Sequence, residues 1–194
     1  MAVEEFAPHK ITNASAQFFG TDGTQEPGTP FTCIGTVEGE TVLKELVKMC
    51  EGVEVDKKVK AEKHELTVSA HVPVSIMRKI FGFSNENLKQ GVYSYGTKSK
   101  GQRFVFTADV IDEFEEVTKL IAFPNCRTNS GFTFTIENGA DEVAEMEVSL
   151  AAYPDTQGEL YYEAIVAELA VDSTVPDTWH TTFDRTLVEE VPAP

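Results

Sequence analysis

Four histidines, three cysteines and a surplus of carboxylates are the side chains of this 194-residue chain with the chemistry to catalyse or to bind metal. The histidines, His9, His64, His71 and His180, fall into no zinc signature. His64 and His71 are seven positions apart, which on one strand sends them to opposite faces. Cys33, Cys50 and Cys126 are odd in number, scattered and without a CxxC, so free thiols of a reducing compartment are expected. The acidic pairs Glu145/Glu147 and Asp112/Glu116 have the composition of a glycosidase acid and base. That reaction, however, needs two carboxylates across a cleft rich in aromatic side chains. Here there is one tryptophan, and the tyrosines gather at 93/95 and 161/162. GxSxG, HExxH, Walker A and GxGxxG are absent. These residues predict no catalytic group, no metal and no cofactor.

The charge is more informative than any motif. Sixteen Lys and Arg stand against 32 Asp and Glu, a net charge of −16. Residues 1–100 carry 12 basic and 13 acidic side chains, and residues 101–194 carry 4 and 19. Such a surface does not grip phosphate by counterion release, which needs clustered lysines and arginines. An apolar content of 41% supports a real core. No apolar run reaches membrane-spanning length, and the start, MAVEEFAPHK, lacks a secretory core, so assembly in a cytosol is expected.

The elements that would position these residues read mainly as strands. Phe132, Phe134 and Ile136 alternate with Gly131, Thr133 and Thr135; Asn138-Gly139 follows as a turn; and Ala144, Met146, Val148 and Leu150 then alternate with Glu145, Glu147 and Ser149. His64–Val72 is a clean alternation, and so is Arg103–Val110. Ala14–Phe19, Phe31–Val37, Val117–Phe123 and Leu160–Val166 are further strand candidates, with an acidic turn at Asp112–Glu116. Thr41–Cys50 fits a helical stripe or a strand, and the lysine-rich run that follows reads as a hairpin tip or loop. One helix is marked by Pro73, by an apolar stripe of Ile76, Met77, Ile80 and Phe81, and by Gly82. In the tail, Trp179, Phe183 and Leu187 stand at helical spacing among prolines. About eight strands and one short helix predict a mainly β domain, a sandwich or barrel.

Several blocks, taken together, resemble a known family. They are GVEVDKKVKAEKHELTVSAHVPVSIMRKIFG, GVYSYG, VFTADVIDEFEEVTKLIAFPNC, SGFTFTIENGADEVAEMEVSLAAYPD and GELYYEA, in order over roughly residues 30–170. They are similar to the major tail (tail tube) proteins of long-tailed, non-contractile bacteriophages of Gram-positive hosts. The resemblance implies a β-sandwich or barrel-like tail tube fold over 14–170, with one flanking helix near 74–81 and arms at 1–13 and 171–194. It tips 41–50 towards strand. It further implies a virion protein, assembled in the bacterial cytoplasm, whose rings, usually hexameric, stack into a hollow tube that conducts DNA during ejection.

The partners that follow are other copies of the chain, a tape measure protein, a tail terminator and a distal tail protein, with DNA passing without adhesion. On this reading Glu142, Glu145 and Glu147 are candidates for lining an acidic lumen, against an ordinary solvated strand face. Lys57, Lys58, Lys60 and Lys63 are candidates for a hairpin that docks on the adjacent ring, against a solvated loop. The alternatives are a tail terminator or head–tail connector that closes as a ring, a secretion-type tube protein, and a monomeric ligand-binding sandwich or hydrolase.

Overall fold

In the computed structural model, residues 3, 5–136, 139 and 145–190 are described. The chain is mainly β. Among the described residues the eight strands are β1 (Pro8–Phe18), β2 (Thr29–Pro30), β3 (Cys33–Cys50), β4 (Val53–His71), β5 (Phe104–Asp112), β6 (Thr118–Thr128), β7 (Met146–Ala152) and β8 (Tyr162–Ile165). All pair antiparallel in one sheet of order β2-β1-β5-β6-β7-β4-β3, with β8 added to β6. The helices are α1 (Val74–Phe81), α2 (Val175–Trp179) and α3 (Arg185–Val188).

The sheet branches at β6. The first half of that strand, Lys119–Ala122, pairs with β8, whereas Cys126–Thr128 pairs with β7. Pro124 sits at the change, where the register with β5 slips between Phe104 and Phe106. A residue without an N–H is tolerated at such an irregularity. Phe106 and Phe123 on one side then face Leu66, Val68, Val148 and Leu150 on the other, all in one core. Helix α1 seals an end of this core with Ile76, Ile80 and Phe81, and Gly82 ends it in the left-handed conformation (φ 72°). The sequence placed both boundaries of that helix.

The strand reading of Thr41–Cys50 is the one adopted. β3 and β4 form a single ladder from Cys33↔His71 out to Cys50↔Val53. Its tip is the two-residue turn Glu51-Gly52, with φ of 51° and 83°. Positive φ at both positions gives the turn whose twist matches a hairpin. Asp112 organises the acidic turn, its Oδ1 accepting from the amides of Glu116 (2.8 Å) and Val117 (3.0 Å).

Two expectations need correction. Gly131–Ile136 is not a strand: it joins no ladder, and Phe134 and Ile136 lie exposed while Phe132 stacks among Phe81, Phe83 and Tyr95. Alternation is a pattern of side chains, and without a neighbouring edge to pair with it does not make a strand. The N-terminal stretch from Pro8 is already strand, paired with β5 as far as Asp112. The turn residue Asn138, the strand position Ala144 and the lumen candidate Glu142 lie outside the described residues.

Cys33 and Cys50 are exposed, while Cys126 is buried and its thiol is pushed up by burial. A thiol reagent should therefore titrate two cysteines in the native protein, and the third only with unfolding; an Ellman titration with and without denaturant checks it.

Candidate functional site

The ladder of β3 and β4 outruns the domain. β7 covers the free side of β4 only from His64 to Ala70, and among the described residues positions 53–63 pair with β3 alone. β3 is the end strand of the sheet, and among the described residues its outer side pairs with no further strand. The far part is thus a two-stranded ribbon with two open edges. Bare ribbons of this kind are marginal in water, and open edges are places where another chain can pair.

Register assigns each side chain to a face, because directly paired residues share one and neighbours alternate. Val37↔Val68 and Gly39↔Leu66 lie on the core side. Continuing outward on that side come Thr41↔His64, Leu43↔Ala61, Glu45↔Val59 and Val47↔Lys57. Leu43, Val47 and Val59 are 56%, 44% and 47% exposed, so the core face runs on as an apolar stripe into solvent. Lys57 lies on this face and is paired with Glu45 at 2.7 Å. Near the base, the stripe meets an apolar groove of about 390 Å³ lined in part by His64, Leu66, Phe123 and Tyr161.

The opposite face is polar and changes sign along its length. At the base stand Glu38, Glu40 and Glu65, beside a shallow groove of about 360 Å³. Beyond them come Lys63, then Lys44↔Lys60, Leu46↔Lys58 and Lys48↔Asp56. Glu62 is the extra residue of a bulge, opposite no partner between Val42↔Lys63 and Leu43↔Ala61. That bulge is why Lys63 joins the face of Lys58 and Lys60 despite its odd spacing. Lys63 donates to Glu65 at 2.6 Å, a bond that raises its pKa. Of the lumen candidates, Glu147 lies opposite Ser69 on this polar face, and the exposed Glu145 carboxylate lies against the backbone of Gly35.

Three of the four lysines singled out by sequence therefore share a face, and Lys57 does not. Lys44 and Lys48 were missed. They are recoverable from sequence only by folding the chain about Glu51-Gly52 and writing out the register.

A second constellation, also missed, binds the C-terminal segment. His180 bridges Thr107 Oγ1 (Nδ1, 3.0 Å) and Asp109 Oδ1 (Nε2, 2.7 Å). Asn13 Nδ2 donates to the other Asp109 oxygen at 2.6 Å. A hydroxyl, an imidazole and a carboxylate in line have the composition of a nucleophilic triad. Thr107, however, is wholly buried within β5, out of reach of any substrate. The group acts as a clamp. Around it, Gln17 donates to Trp179 O (2.9 Å) and accepts from Phe183 N (2.6 Å), and Trp179 Nε1 donates to Ile121 O (3.0 Å). Trp179 and Phe183 pack on Val105, Leu120 and Ala122, on the side of the sheet away from the main core.

Among the described residues, no three His, Cys, Asp or Glu side chains are grouped to hold a metal ion, and no helix is long and apolar enough to cross a membrane. No protein-family model matches the chain. No curated protein matches it. Among solved structures, the chain is similar to a cryo-EM structure of the anti-feeding prophage cap, described as its tube terminating cap. The TM-score is 0.41 and the identity 12%, over 84% of this chain and 94% of that one.

Trp179→Ala should cost about 3–5 kcal/mol, since it empties a fully buried site and orphans a carbonyl. Urea unfolding followed by circular dichroism checks this.

Proposed function

We propose that this chain is a structural subunit that polymerises into a hollow tube, as the tail tube proteins of non-contractile phages do. The observation that carries the reading is the ribbon. It sets an apolar stripe of Leu43, Val47 and Val59 in water beside two unpaired strand edges, an arrangement that a solitary protein would need to blunt. Burying that stripe and pairing those edges against other copies removes both costs. The sequence resemblance supports the same reading, because its largest block, GVEVDKKVKAEKHELTVSAHVPVSIMRKIFG, builds the returning strand of the ribbon, β4, and helix α1.

On this proposal the ring interface is heterologous and closes, and the stacking interface is heterologous and stays open. Residues 14–170 form the tube domain. The C-terminal arm, 171–194, belongs to the subunit's own wall through Trp179 and Phe183, and of the N-terminal arm, 1–13, the part from Pro8 belongs to the wall as well, through β1. The tube lies in a virion, with a tape measure protein inside and a terminator and a distal tail protein at its ends. Lys58, Lys60 and Lys63 take part in docking between copies, with Lys57 bracing the ribbon through Glu45. Glu145 and Glu147 line the bore, where carboxylates repel phosphate and keep DNA sliding.

Negative-stain electron microscopy of concentrated protein, with mass measured in parallel, tests the proposal. Hollow tubes of stacked rings are expected; closed rings that never stack would move the reading to a terminator or connector. A monomer at every concentration, even when seeded with tail-tip complexes, would sink it. Glu145→Lys with Glu147→Lys should leave tubes intact but slow DNA ejection from virions, and normal ejection would remove these residues from the bore.

A further inference from the structure

The segment that runs from helix α1 to β5 breaks the charge pattern of the chain. From Arg78 to Arg103 there are six basic side chains and a single acid, Glu86, in a protein with twice as many acids as bases. Lys89, Lys98 and Lys100 are exposed and form no ion pair among the described residues.

The same end of the molecule exposes aromatic rings. Phe83 stacks on Tyr95 (centroids 5.3 Å) and Phe132 stacks on Phe134 (5.7 Å), while Phe83 and Phe132 meet edge to face at 5.0 Å. Tyr95 is 45% exposed and Phe134 69%. Arg78 lies over the ring of Tyr93, 3.6 Å from its centroid. Beside Tyr95 an open groove of about 440 Å³ runs between residues 84–87 and 94–99, with Gly96 and Lys98 in its lining. This end therefore presents a cationic, aromatic patch.

The opposite end of β5 carries its complement. The turn from β5 to β6 sets four acids around Phe114, which is 73% exposed. Asp112 is engaged by the amides of the turn, and Glu115 pairs with Lys10 at 3.3 Å. Glu113 and Glu116 are exposed and form no ion pair among the described residues. A lone exposed phenylalanine is ordinary. One carried on a hydrogen-bonded turn between unpaired carboxylates has a definite complement, aromatic at its centre and basic at its rim.

β5 begins at Phe104, where the basic segment ends, and finishes at Asp112, so its nine residues hold the two surfaces roughly 27 Å apart. They cannot meet within one copy. Joined between copies, they make a heterologous contact that leaves one surface of each kind free at the outer ends, so the contact propagates.

We infer that Phe114 seats against Tyr95 and Phe134 of a second copy of this chain, with Glu113 and Glu116 facing that copy's Lys89, Lys98 and Lys100. The inference rests on the self-assembly reading and names its head-to-tail contact, the one along which rings stack. Charge complementarity favours a second copy over a nucleic acid, because every patch comes with one plug of the opposite sign.

Phe114→Ala should raise the concentration at which tubes grow roughly tenfold or more and leave single rings intact. Glu113→Lys with Glu116→Lys should block growth, and so should Lys89→Glu with Lys98→Glu. A chain that carries all four exchanges, folded by circular dichroism, should grow again. Growth unimpaired by Phe114→Ala, or no recovery in the fourfold variant, would overturn the contact while leaving the tube reading in place. Oligonucleotide binding lost with Lys89→Glu and Lys98→Glu, alongside tubes indifferent to Phe114→Ala, would assign the patch to a phosphate chain instead.

Cross-linking decides the contact even where no tube forms. In a Cys33→Ser, Cys50→Ser background, a short bismaleimide should join Glu113→Cys of one chain to Gly96→Cys of the next in open-ended series. Gly96 lines the groove and has open space for a side chain. Linked chains without tubes would uphold the contact and overturn the tube. No linkage at any protein concentration would overturn the inference.

Discussion

The backbone's demand for hydrogen-bond partners shapes the chain between residues 33 and 71 more than any side chain does. One ladder satisfies it from Cys33↔His71 to Cys50↔Val53, and only the inner part of that ladder has a core to rest on. Leu66, Val68 and Ala70 anchor the base, packed with Val148, Leu150 and Phe106 in the interior. The outer part is held by its ladder and by little else, because among the described residues nothing covers its apolar stripe. An element that is hydrogen-bonded but unburied has its stability completed from outside, and this is the physical root of the assembly reading.

The same principle, met differently, accounts for the rigid end of the molecule. β5 is buried on both faces: Phe104, Phe106 and Ala108 look into the main core, and Val105, Thr107 and Asp109 look the other way. A strand covered on both sides needs a second layer, and the C-terminal segment supplies it. Trp179 and Phe183 bring the apolar area, while Gln17, Thr107, Asp109 and His180 pair the polar groups that would otherwise be stranded. Buried polar side chains therefore mark a docking seam between two parts of one chain, and their triad-like arrangement follows from that task.

Charge plays a third and separate role. A net charge of −16 acts against close approach of copies at long range, and the lysines concentrated on the ribbon are a local exception to that sign. Individual exposed pairs contribute at most about 1 kcal/mol. On the proposed assembly, apolar burial and backbone pairing would supply the bulk of the association energy, with charge adding specificity.

Local pattern sufficed for much of this. The mainly β class, the strands His64–Val72 and Arg103–Val110, and helix α1 with both its ends were legible because each depends on periodicity or on a capping residue within a few positions. The hairpin tip was not: the lysine-rich run read as the tip or a loop is strand, and the turn is Glu51-Gly52 just before it. What needed the tertiary structure was every fact about pairing. The alternation of Gly131–Ile136 promised a strand and found no edge. Lys63 reached the face of Lys58 and Lys60 only through the bulge at Glu62. Trp179 and His180 took their roles from strands 58 to 162 residues away in sequence. A sequence states which face a residue prefers; which neighbour that face meets is decided by long-range register, and the chain carries no local signal for it.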